Sequence, residues 1–94
     1  MTPAEPRTRH VLLDFAGEIA RRSDGAPLIL LSGRDQQLRP TQIEYAPPPG
    51  SDLEALRTSL CEGRSIEASG HFRAFGPDGE KRFVLVAERI ELRG

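Results

Sequence analysis

The sequence contains no tryptophan, one tyrosine, one cysteine and one lysine. A single cysteine cannot form a disulfide within the chain, and one cysteine with two histidines cannot complete a four-ligand structural zinc site. No run of about 18 apolar residues is present, so the sequence predicts no membrane-spanning helix. The first residues also lack the apolar segment of a secretory signal, and we therefore expect a cytoplasmic protein that makes no membrane contact.

Motifs that carry catalysis or hold phosphate are missing as well. The sequence has no glycine-rich phosphate loop, no H-E-x-x-H motif and no pair of C-x-x-C motifs. The carboxylates of Glu67, Glu88 and Glu91 fall on the expected outer faces of strands, where charged side chains protect sheet edges. We therefore expect no enzyme, no catalytic residue, no metal and no cofactor.

What the sequence does contain fits one small folded domain. Its 94 residues are 37% hydrophobic and 29% charged, which is enough for one modest core. Residues 1–9 hold two prolines and no periodicity, so we expect a flexible arm there and a single domain over residues 10–94. The formal net charge of −1 excludes a uniformly basic surface but allows a local basic patch, because twelve of the thirteen basic residues are arginines.

Three strands are predicted in the first half of the chain. Residues 11–22 alternate between apolar and polar positions, which indicates a strand, and Gly17 within it suggests a bulge or a sharp bend. Turn residues follow, and then residues 28–31 and 41–45 form two short apolar or alternating runs typical of strands. The positions of the first strand expected to face the core are Leu13, Phe15, Gly17 and Ile19.

A single helix is predicted over residues 52–62. Ser51 and Glu54 have the spacing of a capping box, in which a serine oxygen accepts from an orphan amide and a glutamate reaches back. Gly63 is placed to end the helix in a left-handed conformation, and Cys61 is expected to be buried. One apolar stripe, expected to pack on the core, consists of Leu53, Leu56 and Leu60.

The end of the chain, "RSIEASGHFRAFGPDGEKRFVLVAERIEL", holds two apolar-rich runs joined by a turn at residues 76–79. The first run alternates over residues 64–75, and the second, residues 82–92, is apolar on both faces near its start. Both runs are expected to be strands of one hairpin. Phe72 and Phe83 are expected to lie in the core.

The order of three strands, a capped helix and two further strands resembles the OB-fold, from Val11 to Leu92. The resemblance implies an all-β domain with one helix, a five-stranded Greek-key barrel of order β-β-β-α-β-β. It concerns architecture and points to no specific family. A split-sheet α+β fold is the alternative.

The OB resemblance also implies a ligand surface across the second and third strands, flanked by residues 23–27 and 76–81. Strand ends beside these two turns are basic, and we expect their side chains to gather at one end of the barrel and bind phosphates. Tyr45 and Phe75 are the aromatic residues expected to stack on bases. The basic residues of this predicted site are Arg21, Arg22, Arg34, Arg73, Lys81 and Arg82.

Two classes of function follow from this surface. The first hypothesis is a module that binds single-stranded nucleic acid with little sequence preference. The second is a protein-interaction or assembly subunit that uses the same barrel, which the near-zero net charge and the few aromatics favour. A small-molecule or oligosaccharide binder is a further alternative.

Overall fold

The computed structural model describes residues 6–15, 17–80 and 82–93. In chain order the elements are β1 (Arg7–Leu13), β2 (Glu18–Arg21), β3 (Pro27–Asp35), β4 (Pro40–Tyr45), α1 (Leu53–Ser59), β5 (Ser65–Phe75) and β6 (Arg82–Arg93). Within the described residues no helix is long and apolar enough to cross a membrane.

The strands form one sheet that closes on itself as a barrel. Their order is β1-β5-β6-β4-β3-β2, and an additional pairing of β1 with β3 closes the ring. Every pairing is antiparallel except that of β4 with β6. Because β1 and β2 both pair with β3, they are two halves of one barrel strand. The predicted fold class, an all-β five-stranded barrel with one helix before its last two strands, is confirmed, and the architecture is compatible with an OB-like barrel.

The first barrel strand differs from the prediction in its bounds and in its break. Its first half, β1, begins at Arg7, so that Arg7 to Arg9 of the predicted arm pair with β5, and β1 stops at Leu13. Gly17 lies at the break with its amide donating to the Leu60 carbonyl at 2.9 Å. A Cβ on Gly17 would lie 3.1 Å from the side chains of Ile29 and Leu31, so a glycine allows this close approach.

Because of the break, one residue that was predicted to lie in the core is exposed. Alternation between inner and outer faces holds only while the chain stays extended, and residues 14 and 15 form a bend. Phe15 therefore leaves the pattern that buries Leu13, and its side chain is 67% exposed. The expectation that Phe15 belongs to the core was wrong.

The core consists of side chains that alternate inward from every barrel strand. Its ten buried members are Val11, Leu13, Ile29, Leu31, Ile43, Leu60, Ile66, Ala68, Leu85 and Ala87, and Tyr45, Leu56 and Ile90 pack against them. Thr41 is buried in line with Ile43 on β4. The helix thus covers the barrel end near Ile29 and Tyr45 mainly through Leu60, which lies just beyond its last turn.

The helix is shorter than predicted and is capped differently. Its N-cap is Asp52, whose carboxylate accepts from the amide of Ala55 at 3.1 Å, while the Ser51 hydroxyl donates to the Pro48 carbonyl at 2.6 Å. The helix ends at Ser59, although Gly63 does adopt the expected left-handed conformation, with φ of 81°. Cys61 follows the helix and is exposed, so its expected burial was wrong.

The β5–β6 hairpin projects beyond the barrel at the end opposite the helix. β5 pairs with β1 only as far as Gly70, and β6 pairs with β4 only over Leu85 to Ala87. Residues nearer the hairpin turn pair only with each other, so their inner face lacks a covering strand. Phe72 and Phe83 lie there and are 39% and 62% exposed, which corrects the expectation that both belong to the core.

Candidate functional site

An open cleft of about 470 Å³ runs along the outer face of β3 and β4. The strand break between β1 and β2 forms one side of it, and the projecting β5–β6 hairpin forms the other. The residues that line it are Phe15, Glu18, Leu30, Leu31, Ser32, Gln42, Ile43, Glu44, Arg73, Phe75 and Val84.

Strand alternation explains how the cleft obtains its floor. On β3, Ile29 and Leu31 are buried in the core, so Leu30 and Ser32 between them face outward. On β4, Gln42 and Glu44 face outward in the same way, and register places Glu44 opposite Leu30 and Gln42 opposite Ser32. The floor is therefore part apolar and part polar.

Exposed phenylalanines stand on both sides of the cleft. Phe15 projects from the bend after β1, and Phe75, which is 40% exposed, lies at the end of β5. Val84 lies on the floor between the hairpin and β4 and is nearly fully buried. Two aromatic rings beside an apolar strip provide a surface on which planar rings can stack.

The charged side chains of the cleft make its surface weakly acidic. Arg73 donates through Nη2 to Glu44 Oε1 at 2.7 Å, so each of these two charges offsets the other. Glu18 is the remaining ionisable side chain among the described residues of the lining, which together carry a formal charge of −1 from two glutamates and one arginine. An anionic ligand therefore gains little attraction from the cleft unless Arg73 leaves Glu44.

The structure brings three of the predicted site residues together. Arg73, Phe75 and Arg82 lie on the same side of the projecting hairpin, since Phe75 is paired directly with Arg82 and Arg73 is two residues before Phe75. Arg82 is exposed and makes no ion pair with any residue that the structure describes. Lys81, also predicted to take part, lies outside the described residues.

Arg21 and Arg22 are far from this group. β3 runs antiparallel to β4, and β4 runs parallel to β6, so the turn before β3 and the turn before β6 lie at opposite ends of the barrel. The expected gathering of basic residues at one end is therefore not observed. Arg21 donates to the Gly25 carbonyl at 3.0 Å, and Arg22 lies 3.7 Å from Asp24.

The two remaining predicted residues are engaged elsewhere. Arg34 faces outward on β3, two residues beyond Ser32, and its Nε lies 3.4 Å from Asp14 Oδ2. Tyr45 is half-buried and packs against the core, with Ile29 and Ala87 as its neighbours in register. Its ring is thus mostly covered by the barrel itself.

Sequence reasoning missed Phe15, Glu18 and Leu30 as parts of the cleft. Leu30 faces outward in the apolar run over residues 28–31. A strand that is apolar on both faces indicates that its outer face is covered or contacts a ligand. Phe15 was placed in the core by an alternation that the break before Gly17 interrupts. The chain matches no protein-family model and no curated protein.

Proposed function

We propose that this chain is an OB-type module that binds single-stranded nucleic acid, with little sequence preference, across the cleft on β3 and β4. The strand order and the helix position are compatible with an OB barrel, in which the second and third strands form the usual ligand surface. In this chain those strands are β3 and β4. The proposal assigns binding alone and includes no catalytic step.

The observation that carries the proposal is the pair of exposed rings, Phe15 and Phe75, on the two sides of the cleft. Base stacking on an aromatic side chain contributes about 1 to 3 kcal/mol per base and tolerates any base, because every base has a flat face. Binding without sequence preference follows.

Phosphate contacts have a smaller part in this proposal than the sequence alone suggested. Arg82 is available on the hairpin, and Arg73 becomes available when a phosphate replaces Glu44 as its partner. Two contacts are fewer than the six basic residues that the sequence predicted at this site. Stacking therefore supplies the larger share of the binding free energy.

Titration of a labelled single-stranded oligonucleotide with the wild-type chain and two cleft variants tests the proposal. Phe15→Ala and Phe75→Ala should each weaken binding by about fivefold or more, which corresponds to the loss of about 1 kcal/mol of stacking. Leu92→Ala is the matched control, because Leu92 is 42% exposed and does not line the cleft. Equal affinities for all four chains would reject the cleft as the binding surface.

A second candidate function, binding of a partner protein, is favoured by the acidic character of the same cleft. An extended segment with apolar side chains would lie over Leu30 and Val84, and a basic residue on it would meet Glu18. Absence of oligonucleotide binding at about 20 mM salt, where phosphate attraction is least screened, would favour this candidate.

A further inference from the structure

The open end of the barrel, opposite the helix, combines exposed aromatic rings with arginines. Phe72 and Phe83 lie on the inner face of the projecting hairpin, and the guanidinium carbon of Arg9 is 5.2 Å from the centroid of the Phe72 ring. A cavity of about 210 Å³ opens between these rings and the strands facing them. Its lining consists of Arg9, Asp35, Arg39, Pro40, Thr41, Gln42, Phe72 and Phe83.

This cavity differs in charge from the cleft on the barrel wall. Among the described residues of the lining, Arg9 and Arg39 each contribute a positive charge, and Asp35 contributes the one negative charge. Arg7, two residues before Arg9 and on the same side of β1, adds a further positive charge nearby. The lining therefore carries a formal charge of +1, against −1 in the cleft, and suits an anionic ligand better.

Asp35 is held in place by the turn that follows β3. Its Oδ1 accepts from the amides of Gln37 at 2.8 Å and Arg39 at 2.9 Å, and Arg39 Nε lies 3.6 Å from its Oδ2. The hydrogen bond from the Arg39 amide lowers the pKa of Asp35, against desolvation by burial, which raises it. Asp35 is thus a fixed structural carboxylate, while the Arg39 side chain is 69% exposed and can reach a ligand.

The aromatic groups of this end offer two kinds of stacking surface. Phe83 is 62% exposed, so much of its ring is uncovered. Phe72 already has a guanidinium over it, and an arginine held in this way presents its own planar face, on which bases also stack. A base that enters this end would meet a free ring on one side and the Arg9 guanidinium on the other.

We propose that the open end of the barrel is a second nucleotide site, filled by the same single strand after it passes the edge of the β5–β6 hairpin. Phe83 and the Arg9–Phe72 pair hold the base, and Arg39 holds its phosphate. Phe75 of the cleft is paired with Arg82, the residue before Phe83, and the two rings lie on opposite faces of the hairpin. This inference rests on the proposed function of the cleft.

Oligonucleotides of two lengths separate the two sites. A strand of about four nucleotides fills the cleft only, and one of about sixteen nucleotides is long enough to continue round the hairpin. Phe83→Ala should weaken binding of the long strand by about fivefold or more and leave the short strand unchanged. Phe75→Ala should weaken binding of both lengths, and Leu92→Ala should change neither.

Each outcome of this experiment bears on one site. Unchanged affinity of Phe83→Ala for the long strand would overturn the second site while the Phe75→Ala result still reports on the cleft. A loss for both lengths would also overturn it, because Phe83 would then act within the cleft. Sedimentation of the unliganded chain tests the other occupant: a dimer that Phe83→Ala converts to monomer would show that a second copy covers this end.

Discussion

The Glu44–Arg73 pair decides whether the cleft accepts an anion. Glu44 is three-quarters buried and lies on the floor, while Arg73 reaches it from the hairpin at 2.7 Å. A phosphate that binds Arg73 must displace this carboxylate and remain close to it, because Glu44 belongs to the barrel wall. The pair thus weakens phosphate binding while it keeps Arg73 oriented over the cleft.

Glu44→Gln should therefore strengthen oligonucleotide binding. The substitution removes one negative charge beside the expected phosphate path and frees Arg73, and we expect an increase in affinity of about fivefold at low salt. Fluorescence anisotropy with a labelled single strand measures it. Glu54→Gln is the control. It changes the net charge by the same amount, but Glu54 lies on the helix, where it pairs with Arg57. Weaker binding by Glu44→Gln would show that the ligand uses this carboxylate, as a basic peptide segment would.

The ion pair between Glu67 on β5 and Arg93 on β6 links stability to pH. A hydrogen bond from Arg93 lowers the pKa of Glu67 below its usual value of 4.5, and desolvation by burial opposes this effect. His10 Nδ1 also lies 3.8 Å from the Glu67 carboxylate. A carboxyl whose folded-state pKa is lowered stabilises the fold above its unfolded-state pKa, and this contribution disappears as the pH falls through the lowered value.

Glu67→Gln should consequently lower the melting temperature at neutral pH but not in strong acid. The difference between wild type and variant should be constant above about pH 5.5 and should shrink towards zero below about pH 4. Thermal unfolding followed by circular dichroism across this range measures it. Arg93→Gln should give the same profile, and the double variant should add little to either single change. A difference that persists at pH 2 would assign the effect to packing.

At the scale of the elements, α1 contacts the barrel mainly through Leu60, its C-cap residue. Leu60 is 1% exposed and its carbonyl accepts from Gly17, so it joins the helix, the strand break and the core. Leu53 and Leu56 of the same stripe are only half-buried. The apolar stripe was therefore predicted correctly in position, but its burial is concentrated at its end.

Leu60→Ala should cost about 2 to 5 kcal/mol of unfolding free energy, as expected for a leucine fully enclosed by a core. Leu56→Ala should cost about 1 kcal/mol, because its side chain retains contact with water. Urea unfolding of the wild type and the two variants gives both values from the midpoints and slopes. Equal costs would contradict the assignment of Leu60 as the main contact between helix and barrel.

The elements also show why the sequence predicted the fold better than the site. Alternating residues such as Ile66 and Ala68, and the strand over residues 41–45, follow from local rules and were predicted correctly. Exposure of Phe72 and Phe83 depends on where β1 and β4 stop pairing with the hairpin, which is a property of the whole sheet. Local periodicity holds no information about that boundary, so both rings were assigned to the core.

The prediction of the site was limited for the same reason, because local sequence patterns do not show how distant strands are arranged. Arg73, Phe75 and Arg82 lie near each other because they flank one turn, and a hairpin brings such neighbours together. Arg21 and Arg22 flank a different turn, and their distance from the others depends on the relative directions of β3, β4 and β6. Residues of the cleft that come from separate strands, Phe15 and Leu30, require the closed barrel before they meet.

At the scale of the whole molecule, the balance of charges limits how strongly the chain can hold a polyanion. The net charge is −1, and most arginines with a described partner are within 4 Å of a carboxylate. Ion pairs of exposed side chains contribute about 0 to 1 kcal/mol each, so they hold the arginines only weakly but still reduce the positive potential around them. Long-range attraction of a polyanion is therefore weak, and the proposed binding of nucleic acid would depend on local contacts.

The salt dependence of binding measures how many of those contacts are phosphates. A strand of about four nucleotides in the cleft meets Arg73 and Arg82, and two contacts predict a slope of log affinity against log salt of about −1.4, since each phosphate on a single strand contributes about −0.7. Arg82→Gln should reduce the slope to about −0.7, and Arg21→Gln, at the other end of the barrel, should leave it unchanged. Affinities of a labelled strand between about 20 and 200 mM salt give all three slopes. A slope near −3, or one that responds to Arg21, would mean that the strand follows arginines outside the cleft, because two phosphate contacts cannot release that many counterions.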